Sequence, residues 1–353
     1  MRFIDLDQLD QLAGVWDSLA DTSASPMHQY IWARACAEAF DTNGKLQMVA
    51  VGSAAHLVAL APLVKRGGIV SRLEMLGVRE LYEPMDFLYA DPSHLSTLAE
   101  ALAGMGAVLC LGRLPADSPV IAAIRKAYRL RGWTHILPAA SYPYISLNAE
   151  WIELEQQFNA RRRSDFRRAQ RRAEDMGTVS YEMVSTTPAA LEPLLQEAYA
   201  VESAGWKAGK GAALAVNSAL GDFYRRYAVA ACEKGILRLF FLRIGGRAVA
   251  MQLAVECYDR FWLLKIGYDE QFSRCSPGTL LMLHTLKYAA TRGLVSYEFL
   301  GLTESWTGAW TQSLRPCVSL RAYPLRWQGI ATLIGDITRF ARIKLRNTLG
   351  GGS

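Results

Sequence analysis

The chain holds 353 residues, 51% apolar and 20% charged, a composition that supports sizeable cores and excludes an intrinsically disordered chain. Its 39 basic and 33 acidic residues leave a net charge of +6, and Arg161–Asp175 alone carries +4, so the case for a polyanion partner rests on that segment. Six scattered cysteines (Cys36, Cys110, Cys232, Cys257, Cys275, Cys317) without a C-x-x-C pair argue against a zinc site or disulfide framework and read as small buried hydrophobes.

The opening MRFIDLDQLDQL lacks a basic stretch followed by an apolar one and does not read as a secretion signal. Helical spacing follows over 6–19 and 28–40, the second entered through Ser25-Pro26. Strands LQMVAVG (46–52) and AHLVALAPLV (55–64) are joined by a very short turn. AVLCLGRL (107–114) reads as a buried strand, and 117–131 returns to helical spacing. The Pro-rich PAASYP (138–143) marks an expected boundary. Beyond it Trp151, Leu154, Phe158, Phe166, Ala169, Ala173 and Met176 recur at three- and four-residue intervals. They predict one long amphipathic helix stopped near Gly177, its other faces filled by the seven arginines between Arg161 and Arg172.

TVSYEMV (178–184) reads as a strand, and 188–203 and 218–233 as helices. Three strands come next, at 236–244, 247–258 and 261–268. Their hairpin-sized links at Gly245-Gly246 and Asp259-Arg260 predict an antiparallel meander. A helix over 276–293 opens at Pro277-Gly278 and closes on Arg292-Gly293. VSYEFLG (295–301) and VSLRAYPLRW (318–327) complete the strands. The first half reads as a worn copy of this order, which implies a tandem duplication. In the last stretch Leu333, Ile337, Phe340, Ile343 and Lys344 recur at helical spacing, with Arg339, Arg342 and Arg346 interleaved. Such a basic amphipathic helix either packs on the domain with its arginines exposed or lies on an anionic membrane; packing is the expectation. No apolar run is long enough to span a bilayer, and the expected location is the cytoplasm, with peripheral contact at the inner membrane.

The most suggestive physical feature is Ser276-Pro277-Gly278 opening a helix directly after a meander strand and a short loop. A helix start offers unpaired N–H groups and a positive dipole end, which suit a pyrophosphate; plain capping explains the same residues. GWKAGKG lacks the spacing of a phosphate-binding loop, the five histidines show no metal-ligand spacing, and no G-x-S-x-G is present.

Taken in order, RRRSDFRRAQRRAEDMG, AYAVESAGWKAGKG, DFYRRYAVAACEKG, LRLFFLRIGGRAVAMQLAV, WLLKIGYDEQFSRCSPGTLLMLHTLKYAATRG and YEFLGLTESW resemble the CelD/BcsL acetyltransferase family. These are cellulose-biosynthesis-type members of the GNAT superfamily. The likeness covers roughly residues 150–315; residues 1–145, with SPMHQYIWARACAEAF and LVALAPLV, are similar to the family's N-terminal half more loosely. The resemblance implies an α/β (α+β) fold of tandem GNAT-like domains, each a mixed, largely antiparallel sheet flanked by helices. The implied division is 1–147 for a degenerate N-terminal GNAT-like domain, 148–327 for the acyltransferase domain, and 328–353 for the basic helix and tail. It also implies acyl transfer from acyl-CoA, in the first instance acetyl-CoA, to an amine or hydroxyl on a sugar or polysaccharide precursor, with no metal.

By that likeness Leu264, Lys265 and Ile266 lie along the pantetheine arm, and Ser276, Pro277 and Gly278 near the pyrophosphate. Asp269 is then a candidate base and Tyr268 a candidate acid, against readings as a turn residue and a packed aromatic. Glu298 is either a cleft carboxylate with a raised pKa or a solvent-facing strand residue. Trp206 either stacks on a sugar as a lid or anchors a helix end. Arg163, in the family's Arg-rich block, and Trp306 are further expected substrate contacts. Where the family carries Tyr-Lys, this chain has Trp306-Thr307, which puts its chemistry in doubt. FemABX aminoacyltransferases, whose donor is aminoacyl-tRNA, have a similar double architecture, so tRNA is the one nucleic acid left as a partner. A catalytically inert scaffold in an envelope polysaccharide assembly is the third reading.

Overall fold

The computed structural model describes residues 9–20, 25–40, 45–53, 56–67, 70–184, 186–205 and 218–349. The first half runs α1 (Ala13–Ala20), α2 (Tyr30–Ala39), β1 (Leu46–Ser53), β2 (His56–Arg66), β3 (Arg72–Met75) and a one-turn α3 (Val78–Leu81). It continues through β4 (Leu88–Tyr89), α4 (His94–Met105), β5 (Val108–Pro115), α5 (Pro119–Tyr128) and β6 (Gly132–Ser146). The second half runs α6 (Ala160–Glu174), β7 (Val179–Met183), α7 (Leu191–Ser203), α8 (Ser218–Glu233), β8 (Leu237–Ile244), β9 (Arg247–Cys257) and β10 (Arg260–Tyr268). After these come α9 (Pro277–Thr291), β11 (Ser296–Glu298), β12 (Leu314–Pro324) and α10 (Trp327–Leu349).

Among the described residues, all strands join one twelve-stranded sheet in the order β1-β2-β3-β5-β12-β6-β11-β10-β9-β8-β7, with β4 beside β2. The predicted meander β8-β9-β10 is antiparallel throughout. Its two links hold Gly245-Gly246 and Tyr258-Asp259 at positive φ, the backbone that matches the twist of paired strands. Both halves share a core motif: an antiparallel strand (β3 or β10), a helix (α4 or α9), and a strand parallel to the first (β5 or β11). The mixed α/β fold with a duplicated plan expected from sequence is therefore present. In the first half β3 and α4 escape a sequence reading because β3 has four residues and α4 is rich in small residues.

Two local expectations differ from the structure. PAASYP is not a break but the middle of β6, the strand that joins the halves by pairing with β12 and, at Tyr144–Ser146, with β11. Its prolines are tolerated because over Gly132–Pro143 β6 has a paired strand on one side only, so a missing N–H faces no ladder. The long helix is two pieces: a 3-10 segment (Ala149–Gln157), a break with extended Phe158, then α6. Asn159 starts α6 anew, its side chain accepting from Arg162 N–H at 2.9 Å. The buried face of α6 is Phe166, Ala169 and Ala173, as the spacing predicts.

β12 leaves the second half and inserts between β5 and β6 of the first. The halves also share one core. Trp32 of α2 is 1% exposed, and its ring lies 4.9 Å from both Phe223 and Tyr227 of α8. Truncating this ring empties the middle of the joint. Trp32→Ala is expected to cost roughly 3–5 kcal/mol and to lower the melting of both halves together, measured by thermal denaturation followed by far- and near-UV circular dichroism.

Candidate active site

A cavity of about 530 Å³ opens where β10 and β11 part company. The two strands pair in parallel only from Arg260 to Trp262 against Ser296 to Glu298. Leu300 and Gly301 then take positive φ and turn the chain out of the sheet, leaving Ile266, Gly267 and Tyr268 to line the cavity without a β11 neighbour. On its other side β10 carries a bulge at Leu264, between the pairs Leu263–Ala254 and Lys265–Leu253. The extra residue re-aims the strand. Leu264 packs in the shared core, and Lys265 next to it faces the same helices, its Nζ 5.1 Å from the Tyr224 ring centre of α8.

The helix start lies on the cavity too: Ser276, Pro277, Gly278 and Thr279 all line it. Ser276 is the N-cap of α9 in the left-handed region (φ 49°), Pro277 fills the first position, and no side chain caps the end. Pro277 has no N–H and the Thr279 N–H donates to Ser276 O at 2.9 Å, so the first turn presents the Gly278 N–H and the dipole end without a competing carboxylate. Across the cavity stand Trp306, whose indole donates to Glu304 at 2.7 Å, and Trp310. Thr307 is buried and closes the turn, donating to Glu304 O at 2.8 Å.

The candidate carboxylates divide sharply. Asp269 is buried, and both oxygens are engaged: Oδ1 accepts from Gln271 N–H at 3.0 Å and Oδ2 pairs with Arg247. It caps the 3-10 turn Glu270–Cys275 that leads into α9 and does not line the cavity. Glu298 is fully buried and holds Arg315 of β12 with two bonds, 2.8 and 2.5 Å, while Ser296 donates to it at 2.6 Å. That ion pair joins β11 to β12 and also lies off the cavity. Arg163 donates to Phe158 O at 3.0 Å, across the helix break; its neighbour Arg162 is the arginine that reaches the cavity. The Arg162 guanidinium sits 5.2 and 5.5 Å from the rings of Phe166 and Trp310, and its buried Nε has no protein partner among the described residues. Trp206 lies outside the described residues.

One cavity carboxylate escaped the sequence reading. Glu202, at the end of α7, has a side chain with no exposure, lines the cavity, and stands 3.9 Å from Lys265 Nζ. Two glycines seat it there. A Cβ at Gly267 would lie 2.6 Å from Glu202 Cα, and one at Gly205 would lie 2.8 Å from Tyr268 O. The signal was available: Leu191, Leu195 and Ala198 are the buried stripe of α7, and Glu202 continues it four residues on. Gln252 of β9 is similar, buried on the cavity wall and accepting from Tyr297 O–H at 3.2 Å.

The first half grips the cavity's edge. Glu83 accepts from Gly301 N–H at 3.1 Å, and Arg113 donates to Gly301 O at 2.9 Å. Burial pushes the Glu83 carboxyl up to about 7, against the opposing pull of Arg113, the Gly301 N–H and Lys265.

Residues 160–307 match the family model described as an acetyltransferase (GNAT) domain. The second half is thus similar to an acetyltransferase-type GNAT domain, within a fold of two GNAT-like units. No curated protein matches the sequence. Among solved structures, the DUF2156 C-terminal domain assigned to a lysylphosphatidylglycerol synthetase of Agrobacterium fabrum superposes with a TM-score of 0.57 at 12% identity, covering 94% of this chain and 95% of that one. FemX superposes with a TM-score of 0.55 at 13% identity, covering 94% and 99%. L-PGS from Bacillus licheniformis gives 0.50 at 13% identity, covering 88% and 95%. At these identities the likeness is one of fold, and it extends over both halves.

Two outcomes follow from the carboxylates. Glu298→Ala strands Arg315, and is expected to destabilise the fold by about 3 kcal/mol, the low end for a buried pair because Arg315 keeps 33% of its side chain in water. Chemical denaturation measures this. For Glu83, a pKa raised from 4.5 to about 7 means that the folded state holds the proton more tightly. Stability tied to this group is therefore present at low pH and lost as pH rises through about 7. Glu83→Gln is expected to gain on the wild type in melting temperature between about pH 5 and about pH 8.

Proposed function

We propose that this protein is an acyltransferase that moves an acyl group, acetyl in the first instance, from acyl-CoA to an amine or hydroxyl. The observation that carries the reading is a single cavity joining a helix start without a side-chain cap, the end of β10 beyond its pairs with β11 and the buried carboxylate of Glu202. The first suits the pyrophosphate of CoA, at Ser276–Gly278. The second, where Ile266, Gly267 and Tyr268 line the cavity beyond the last pair with β11, suits the extended pantetheine arm. The third supplies a proton acceptor within the same space.

In this reading the acceptor nucleophile attacks the thioester carbonyl directly, its proton passing to Glu202, and the C–S bond breaks as the departing sulfur takes a proton from Tyr268. Asp269 is proposed as the brace that sets α9, because neither of its oxygens is at liberty, and Glu298 as a joint between strands. Arg162, Trp306 and Trp310 form the acceptor wall; stacked rings and a guanidinium favour a sugar carrying an anionic group, which agrees with the CelD/BcsL resemblance. The setting proposed is the cytoplasm. The remaining proposed boundaries are 1–147, 148–327 and 328–353, with β12 serving both halves.

Thermal-shift titration with acetyl-CoA, longer acyl-CoAs and tRNA tests the donor. A CoA thioester at a hundred times its Kd is expected to stabilise by about 2.7 kcal/mol. Response to tRNA alone would replace the reading with aminoacyl transfer of the FemABX kind, and silence toward every donor would favour a scaffold. Glu202→Gln is expected to keep the CoA shift while turnover falls roughly 10²–10⁴-fold.

A further inference from the structure

The helix α10 is tied to the sheet along one side and bare along another. Asp336 receives Arg321 and, at 2.8 Å, the Tyr323 hydroxyl of β12. Trp327, Ile330, Ile334 and Ile337 follow at three- and four-residue spacing and are 60%, 43%, 57% and 58% exposed, a continuous apolar stripe in water. The stripe extends onto the sheet. Trp133 pairs with Tyr323, so its side chain shares the sheet face that α10 covers, and it too is exposed. Leu325, whose N–H donates to Arg131 O at 2.7 Å, and Leu130 stand exposed where β12 ends and β6 begins.

Charge on these same segments has one sign. Residues 129–134 and 325–349 contain Arg129, Arg131, Arg326, Arg339, Arg342, Lys344 and Arg346 against the single acid Asp336. That local excess equals the net charge of the whole chain, +6; within it Asp336 is matched by Arg321, and Arg131 is paired with Glu100 of α4 at 2.5 Å.

We propose that this face docks on an anionic phospholipid bilayer. The helix lies in the plane of the headgroups, the Trp-Ile stripe reaching toward the acyl chains, with Arg129 and Arg326 among the cations that meet phosphates at its edge. Charge complementarity selects this occupant: a second copy of the chain would set one basic face against another. Among the described residues no helix is long and apolar enough to cross a membrane, so the contact is peripheral.

The test is co-sedimentation of the full chain with vesicles of phosphatidylcholine alone or mixed with phosphatidylglycerol. Binding is expected only to the anionic vesicles and is expected to fall as sodium chloride is added. The double variant Ile334→Glu/Ile337→Glu should abolish binding with its melting curve unchanged, since both side chains are already in water. Arg129→Gln, which disturbs no apolar contact, should weaken binding roughly fivefold. No binding, or equal binding to neutral and anionic vesicles, overturns the proposal. So does a dimer in sedimentation velocity that Ile334→Glu/Ile337→Glu dissolves while vesicle binding is absent, because the stripe is then a self-association surface.

Discussion

Both backbone polar groups of Gly301 are held by ionisable side chains from the other half of the chain, its N–H by Glu83 and its carbonyl by Arg113. Much of the site follows from that hold. A chain that leaves a sheet takes buried peptide groups away from their ladder, and each one left unsatisfied costs about 1–3 kcal/mol. Here β11 leaves after three residues, and the groups it withdraws are met by a carboxylate and a guanidinium instead of by β10. Arg113 is itself 1% exposed and lies against the rings of Tyr82 and Tyr142 at 4.8 and 5.8 Å, so the hold is rigid. The first half, whose own cavity at the corresponding strand split is only about 190 Å³, thereby acts as the brace for the larger opening in the second.

The elements that could be read from sequence were those whose periodicity was imposed by one environment. The meander strands, α8 and α9 each face a constant neighbour, so their apolar pattern is regular and their limits were legible to within a few residues. Elements that bridge environments were not. β6 carries prolines because one of its edges needs no N–H, and those prolines imitate a boundary. The run from Trp151 to Met176 keeps helical spacing across a break, because Phe158 packs in the same aromatic group as Phe166 and Trp310 whether or not the backbone is helical between them.

The site was legible in its backbone and less so in its charges. Ser276, Pro277 and Gly278 could be placed because Pro-Gly at a helix start has a mechanical meaning. Carboxylates carry no such mark: Asp269 and Glu298 sit beside the right strands, yet each is satisfied by an arginine distant in sequence, Arg247 and Arg315. Which acid lines the cavity and which is drawn into a strand joint or a turn depends on tertiary structure. Glu202 reaches the cavity through glycines on two different elements.

The placement of β12 bears on how the molecule is made. Its partners, β5 and β6, end near residues 115 and 146, yet the strand that belongs between them spans residues 314–324. Until it arrives, the first half exposes two unpaired strand edges, and the intervening residues must be synthesised and kept from aggregating. Folding that awaits such a distant pairing has high contact order and is correspondingly slow. A chain cleaved between the halves would lose this strand from the first sheet, so the pair of GNAT-like units is one cooperative folding unit in spite of its duplicated plan.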